Sequence, residues 1–214
     1  MKSKIQSLKN GNKKTVIKKL FLTAAVAVSS LTFAQQFGAK AGMNVSTISD
    51  EGFDDTKSKV GYYAGVFMNV PVSESFSIQP EVLYNNLGSK VSSTVLGTTY
   101  SSTLNLDYVA VPVMFQYKAT PQFYLEAGPE FGFLVNAKQK FDNGSSSIVT
   151  ELDKEDFNSF NMGVGLGLGF DISKNVGLNA RYVAGFSDIT KESGPSTDAK
   201  NKNNTFQVGL NFKF

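Results

Sequence analysis

From Phe206 to the C-terminus every second residue is large and apolar: Phe206, Val208, Leu210, Phe212 and Phe214 alternate with Gln207, Gly209, Asn211 and Lys213. A period of two means an extended strand, because successive side chains of a strand point to opposite faces. One face of this strand is wholly apolar and the other polar or bare. It needs an apolar surrounding on one side only, which a protein core or a lipid bilayer supplies.

The alternation recurs in seven earlier segments. Phe37, Ala39, Ala41, Met43 and Val45 stand against Gly38, Lys40, Gly42 and Asn44. Segment 60–70 sets Tyr62, Ala64, Val66, Met68 and Val70 against Gly61, Tyr63, Gly65, Phe67 and Asn69, and its large rings on both sides leave the facing open. In 76–86, Phe76, Ile78, Pro80, Val82 and Tyr84 oppose Ser77, Gln79, Glu81, Leu83 and Asn85. Segment 104–118 carries Val109, Val111, Val113, Phe115 and Tyr117 on one face. In 123–135, Phe123, Leu125, Ala127, Phe131 and Phe133 oppose Tyr124, Glu126, Gly128, Glu130 and Gly132. Segment 160–170 alternates five apolar residues with Gly163, Gly165, Gly167 and Gly169, and 176–186 sets Leu178, Ala180 and Tyr182 against Gly177, Asn179 and Arg181.

The connections are of two kinds. Residues 71–75, 119–122 and 171–175 are short, whereas 46–59, 87–103, 138–156 and 187–203 are long and polar. Strict alternation of short and long is the asymmetry of an outer-membrane barrel, with periplasmic turns and extracellular loops. The expected fold is all-β: an eight-stranded antiparallel up-and-down transmembrane β-barrel over residues 35–214, multi-pass in the cell outer membrane, with both mature termini periplasmic. Aromatic residues gather where interfacial girdles belong, with Phe76, Phe123, Phe170 and Phe214 beside the short turns and Tyr84, Phe133 and Phe186 toward the long loops. The glycines of 160–170 weaken a strand in general but make room on the inner face of a narrow barrel. Pro80, Pro112 and Pro129 each remove a ladder donor; Pro112 and Pro129, each about seven residues from the 119–122 turn, are expected at similar height on neighbouring strands, at bulges.

Residues 1–34 stand apart. Seven lysines precede the apolar run Leu20 to Val28, and Thr32-Phe33-Ala34 presents small residues where a signal peptidase cuts. This reads as a cleavable secretory signal peptide. It holds seven of the 21 basic residues and none of the 18 acidic ones, so the mature chain carries 14 basic against 18 acidic residues. The basic balance of the whole chain belongs to the export segment, and nucleic acid is not an expected partner. After the signal no apolar run reaches the ~18 residues of a helical span.

Histidine and cysteine are both absent. That removes Ser-His-Asp chemistry, thiol chemistry, disulfides, a lipid-bearing cysteine and the commonest metal ligands, so no catalytic, cofactor or metal residues are assigned. The acidic stretches 50–55 and 151–156 lack the ligand spacing of a Ca²⁺ loop and read as solvated loop. The glycine run 163–169 has no P-loop Lys-Ser/Thr after it and no helix pattern.

The segments FGAKAGMNVS, YYAGVFMNVPVSESFSIQPEVLY, DYVAVPVMFQY and FYLEAGPEFGFLV resemble the PorT-like outer-membrane β-barrel family over essentially the whole mature chain. The resemblance implies a Gram-negative host and a small eight-stranded barrel; one family member is associated with a secretion and gliding apparatus. The C-terminal set Phe206, Val208, Leu210, Phe212 and Phe214 resembles the assembly signal of such barrels, which implies the barrel-assembly machinery as a partner besides outer-membrane lipid and an unidentified surface or periplasmic protein.

Two readings follow. The first is an integral outer-membrane protein with a structural, surface-interaction or export-accessory role. In it Lys40, Glu81, Glu126, Glu130 and Arg181 all face a lumen only wide enough for side chains, where ions need partners, so they are expected to form a plugging charge network. The second is a soluble secreted lipocalin-like barrel binding a small apolar ligand, which would keep its greasy face inside.

Overall fold

A computed structural model describes residues 35–49, 58–95, 98–189 and 202–214. The expected signal peptide 1–34 and the acidic stretch 50–55 lie outside them. The strands are β1 (Gln36–Ser49), β2 (Lys59–Pro71), β3 (Phe76–Val95), β4 (Thr98–Lys118), β5 (Phe123–Asp142), β6 (Ser147–Glu151), β7 (Phe160–Asp171), β8 (Val176–Asp188) and β9 (Lys202–Lys213). Eight of them form an antiparallel ring in the order β1-β2-β3-β4-β5-β7-β8-β9, closed where β1 pairs with β9 from Gly38↔Lys213 to Ser49↔Lys202. Closure leaves the ring without an open edge. The short β6 stands outside the ring as a hairpin arm on β5.

The polar side of every ring strand faces inward. Lys40, Glu81, Gln116, Glu126, Asn179, Arg181, Gln207 and Asn211 are buried, while Phe37, Val66, Val82, Phe115, Leu125, Leu166, Leu178 and Leu210 are exposed on the outer wall. That inverts the arrangement of a lipocalin. The open facing of β2 resolves with Tyr63 and Phe67 inside and Tyr62 and Val66 outside. Outer aromatics form two girdles, Phe76 against Tyr117 at 5.1 Å near the short turns and Phe133 against Phe160 at 5.5 Å toward the other end. From Phe76 to Tyr84 is ~27 Å of strand, which the tilt of a barrel strand shortens toward the ~25 Å apolar band of an outer membrane.

The three short turns share one local device. Ser73, Thr120 and Ser173 each accept the backbone N–H of the residue that opens the next strand, Phe76, Phe123 and Val176, at 3.1, 2.9 and 3.1 Å. A hydroxyl three residues ahead of the strand thus replaces a missing ladder bond.

Three expectations are corrected. Residues 87–103 are not a loop: β3 runs to Val95 and β4 starts at Thr98, paired without a break from Leu87↔Leu106 to Val95↔Thr98. Most of 138–156 is likewise structured, as the end of β5, β6 and a 3-10 turn at Lys154–Asp156. The apolar alternation marks the lipid-facing band, whereas these extensions carry Val91, Thr94, Thr98, Thr99, Tyr100 and Thr103, types that favour strand without needing lipid. The prolines do not sit at bulges. Register is the same on both sides of each, and pairs merely drop out, between Phe67↔Glu81 and Val70↔Ile78, between Pro80↔Val113 and Leu83↔Ala110, and between Pro112↔Glu130 and Phe115↔Ala127. The register shifts fall elsewhere, at Asp107/Tyr108 and between Ala184 and Asp188.

Candidate functional site

Lys40, Glu81, Glu126 and Arg181 come from β1, β3, β5 and β8, which are alternate strands of the ring, so their side chains converge on the barrel axis. Arg181 faces Glu81 across the full width of the lumen. Its Nη1 and Nη2 donate to the two oxygens of Glu81 at 2.9 and 2.8 Å, and its Nε donates to Glu126 at 2.7 Å. Lys40 Nζ donates to Glu81 at 2.9 Å and lies 6.0 Å from the centre of the Phe67 ring. The four residues are 1 to 4 % exposed, where an ion is tolerable only when paired and fully hydrogen-bonded.

Neutral amides complete the set. Gln79 donates to Glu81 at 2.8 Å and Gln116 to Glu126 at 3.0 Å. Gln116 in turn accepts from Asn69 at 2.8 Å. Toward the short turns a second chain runs from Tyr63 to Asn179 at 2.8 Å, while Asn211 accepts from Asn179 at 2.8 Å and donates to Tyr124 at 3.0 Å. Below it Lys213 pairs with Asp171 at 2.6 Å. These amides and tyrosines carry no charge that would single them out in the sequence, although parity with Glu81, Glu126 and Arg181 on their own strands places Gln79, Tyr124 and Asn179 on the inner face.

Glycine makes this crowding feasible. A Cβ on Gly167 would lie 2.9 Å from Glu126 Oε1, and one on Gly169 would lie 2.1 Å from the Tyr124 ring. The bare face of β7 is therefore the bed on which Arg181, Glu126 and Tyr124 lie.

Glu130 stands apart from the ion pairs. It is buried, and its Oε2 has no hydrogen-bond partner among the described residues. It lies four positions along β5 from Glu126, ~13 Å along the strand, which takes it out of the plane of the Arg181 fork. It lines a cavity of about 20 Å³ with Asn85, Tyr108 and Asn203, room for roughly one water at the ~10–15 Å³ each requires.

Beyond that level the lumen is capped by apolar side chains. Leu87, Leu106, Tyr108, Leu134 and Ala137 pack with Phe157 and Ile189. The chain is drawn over the mouth by Asn158, whose N–H donates to the Ile189 carbonyl and whose side-chain amide donates to that of Asp188, both at 2.8 Å. Just outside, Asp107 accepts from Asn86 at 2.6 Å and from Asn136 at 2.9 Å, and Lys59 donates to the Leu87 carbonyl at 3.2 Å and to Asn86. Among the described residues no cluster of three or more metal-ligating side chains exists.

The described fold is that of a membrane barrel turned greasy side out. The chain belongs to the family defined by the outer membrane protein beta-barrel domain, whose model matches residues 33–191. It is a small outer-membrane β-barrel protein.

Solved structures of similar fold include Ail, the attachment invasion locus protein of Yersinia pestis, at 13% identity and a TM-score of 0.46, covering 85% of this chain and 100% of that one. Neisserial surface protein A matches at 15% identity and a TM-score of 0.46, covering 84% and 97%. The outer membrane protein OprG from Pseudomonas aeruginosa matches at 12% identity and a TM-score of 0.42, covering 85% and 96%. Comparison with curated protein sequences gives no match.

Proposed function

We propose that this protein is a closed, non-conducting barrel with a structural, surface-interaction or export-accessory role and no catalytic one. The observation that carries the reading is the Arg181–Glu81 fork lying across the lumen, with Lys40 and Glu126 bonded to it. An eight-stranded barrel has only a side-chain-wide interior, and this one is filled at that level by ions that cannot part without leaving a charge unpaired. The apolar cap of Phe157 and Ile189 adds a second seal.

In this reading residues 1–34 direct export and are removed, and the short turns and both mature ends are periplasmic. The long β3–β4 hairpin and the β6 arm rise from the cell surface, where a partner protein would meet them. The strand ending in Phe206, Val208, Leu210, Phe212 and Phe214 is the part presented to the barrel-assembly machinery. Placement among PorT-like barrels rests on the run from Gly65 to Tyr84 in the sequence.

Planar-bilayer recording of the purified monomer tests the seal. The expected trace is a quiet baseline; large, stable, ion-conducting steps would overturn the reading.

A further inference from the structure

The outer wall is not uniformly smooth. Between Phe37, Val66, Met68, Pro80, Val82 and Phe214 it holds a groove of about 460 Å³, inside the ~300–1,000 Å³ range of small-ligand sites. Its origin is two prolines, Pro80 facing β2 and Pro112 facing β3, neither of which has an N–H to give the ladder. The β2–β3 ladder stops after Phe67↔Glu81 and resumes at Val70↔Ile78, and the β3–β4 ladder stops after Pro80↔Val113 and resumes at Leu83↔Ala110. The wall is therefore unzipped on both sides of β3 around the same residues. Glu81, whose side chain serves the lumen, also lines this outer groove. Every other lining residue is apolar or glycine, so its side chains suit hydrocarbon.

We propose that this groove seats one acyl chain of a membrane phospholipid. The groove is continuous with the lipid-facing wall of an outer-membrane barrel, so acyl chains surround it at all times. It is concave, so a chain lying in it meets protein on more than one side and gains dispersion contacts that a convex surface does not give. Phe37 and Phe214 place it in the half of the barrel nearer the short turns, with Phe214 N–H donating to the Phe37 carbonyl at 2.9 Å. Assignment to a phospholipid rests on the orientation read above, which puts that half in the inner leaflet. The bound chain covers the stretch of wall where the ladder is missing, as a hydrocarbon patch over the proline break.

Native mass spectrometry of the protein purified from its own membranes in mild detergent tests this. The wild-type protein is expected to retain a single phospholipid after detergent exchange, and Val82→Trp, which fills the groove, to lose it. Leu168→Trp on the outer face of β7 is expected to keep it. A wild-type protein free of lipid, or lipid retained equally by Val82→Trp, overturns the proposal. So does retention of a lipid A species, or a second copy of the chain in place of lipid. The wild-type measurement requires no variant, so misfolding of Val82→Trp does not shield the proposal. Surface labelling of cysteine variants reads the orientation separately.

Discussion

Arg181 and Glu81 meet through two parallel hydrogen bonds of 2.9 and 2.8 Å although 100 residues separate them in the chain. Their strands stand opposite each other in the ring, so this fork ties two walls of the barrel together. Removing Arg181 leaves Glu81 and Glu126 short of their shared cation. Arg181→Ala is expected to lower stability by ~3–5 kcal/mol, the usual cost of stranding a buried charge. Arg181→Ala combined with Glu81→Ala should cost less than the sum of the singles, with a coupling of ~0.5–3 kcal/mol. Urea unfolding in lipid vesicles measures both, and additive effects would show the fork to be energetically idle. Arg181→Lys should not rescue, because an ammonium cannot make the fork.

Glu130 should behave in the opposite sense. Its carboxylate is buried with an oxygen unpartnered among the described residues, so Glu130→Gln removes a charge without breaking an ion pair. Thermal melting should show Glu130→Gln at or above the wild-type midpoint. Glu126→Gln should fall below it, since Glu126 loses its charge-assisted bond from Arg181.

Packing at the bare inward positions of β7 and β5 gives a graded test. A Cβ at Gly169 would press into the Tyr124 ring at 2.1 Å, whereas at Gly132 the nearest atom lies at 3.4 Å. Gly169→Ala is expected to cost ~1–3 kcal/mol as overpacking. Gly132→Ala should be close to neutral in the same unfolding assay.

The cap and the ion network should separate experimentally. Phe157 is buried among Leu87, Leu134 and Ile189, so Phe157→Ala should loosen the segment between β6 and β7 and speed its cleavage by added protease. Bilayer conductance should stay silent, because Arg181 and its partners still fill the level below. Conductance appearing with Phe157→Ala would make the cap the seal.

Orientation is accessible to labelling because the chain has no cysteine of its own. Ser146→Cys, at the tip of the β5–β6 hairpin, should react with a membrane-impermeant thiol reagent on intact cells. Asn175→Cys, in a short turn, should react only after the outer membrane is opened. The reverse pattern would invert the barrel.

The ring and the inward set of Lys40, Glu81, Glu126, Glu130 and Arg181 were legible because parity alone assigns a strand residue to one face. The reach of the strands was not. Ser89 to Val95 and Thr98 to Thr103 carry no apolar alternation, since outside the membrane neither face needs it, and they read as loop although they pair throughout. The same blindness hid the cap, because Phe157 and Ile189 lie in irregular segments where spacing carries no direction. Height along the axis was also out of reach. Parity could not say that Glu130 sits above the plane in which the other four charges lie, because that depends on the stagger between strands.

The bridging of opposite walls also bears on the order of assembly. Each short hairpin, closed by Ser73, Thr120 or Ser173, is local in sequence. Arg181 reaches Glu81 only when β3 and β8 face each other, and that happens once β1 has met β9. Until then the two groups line an open, hydrated sheet, and the seam between first and last strands must close before water leaves the axis. The ion fork is thus a latch set at the end of folding, and a chain truncated before β9 would carry its charges in a sheet that never becomes a tube.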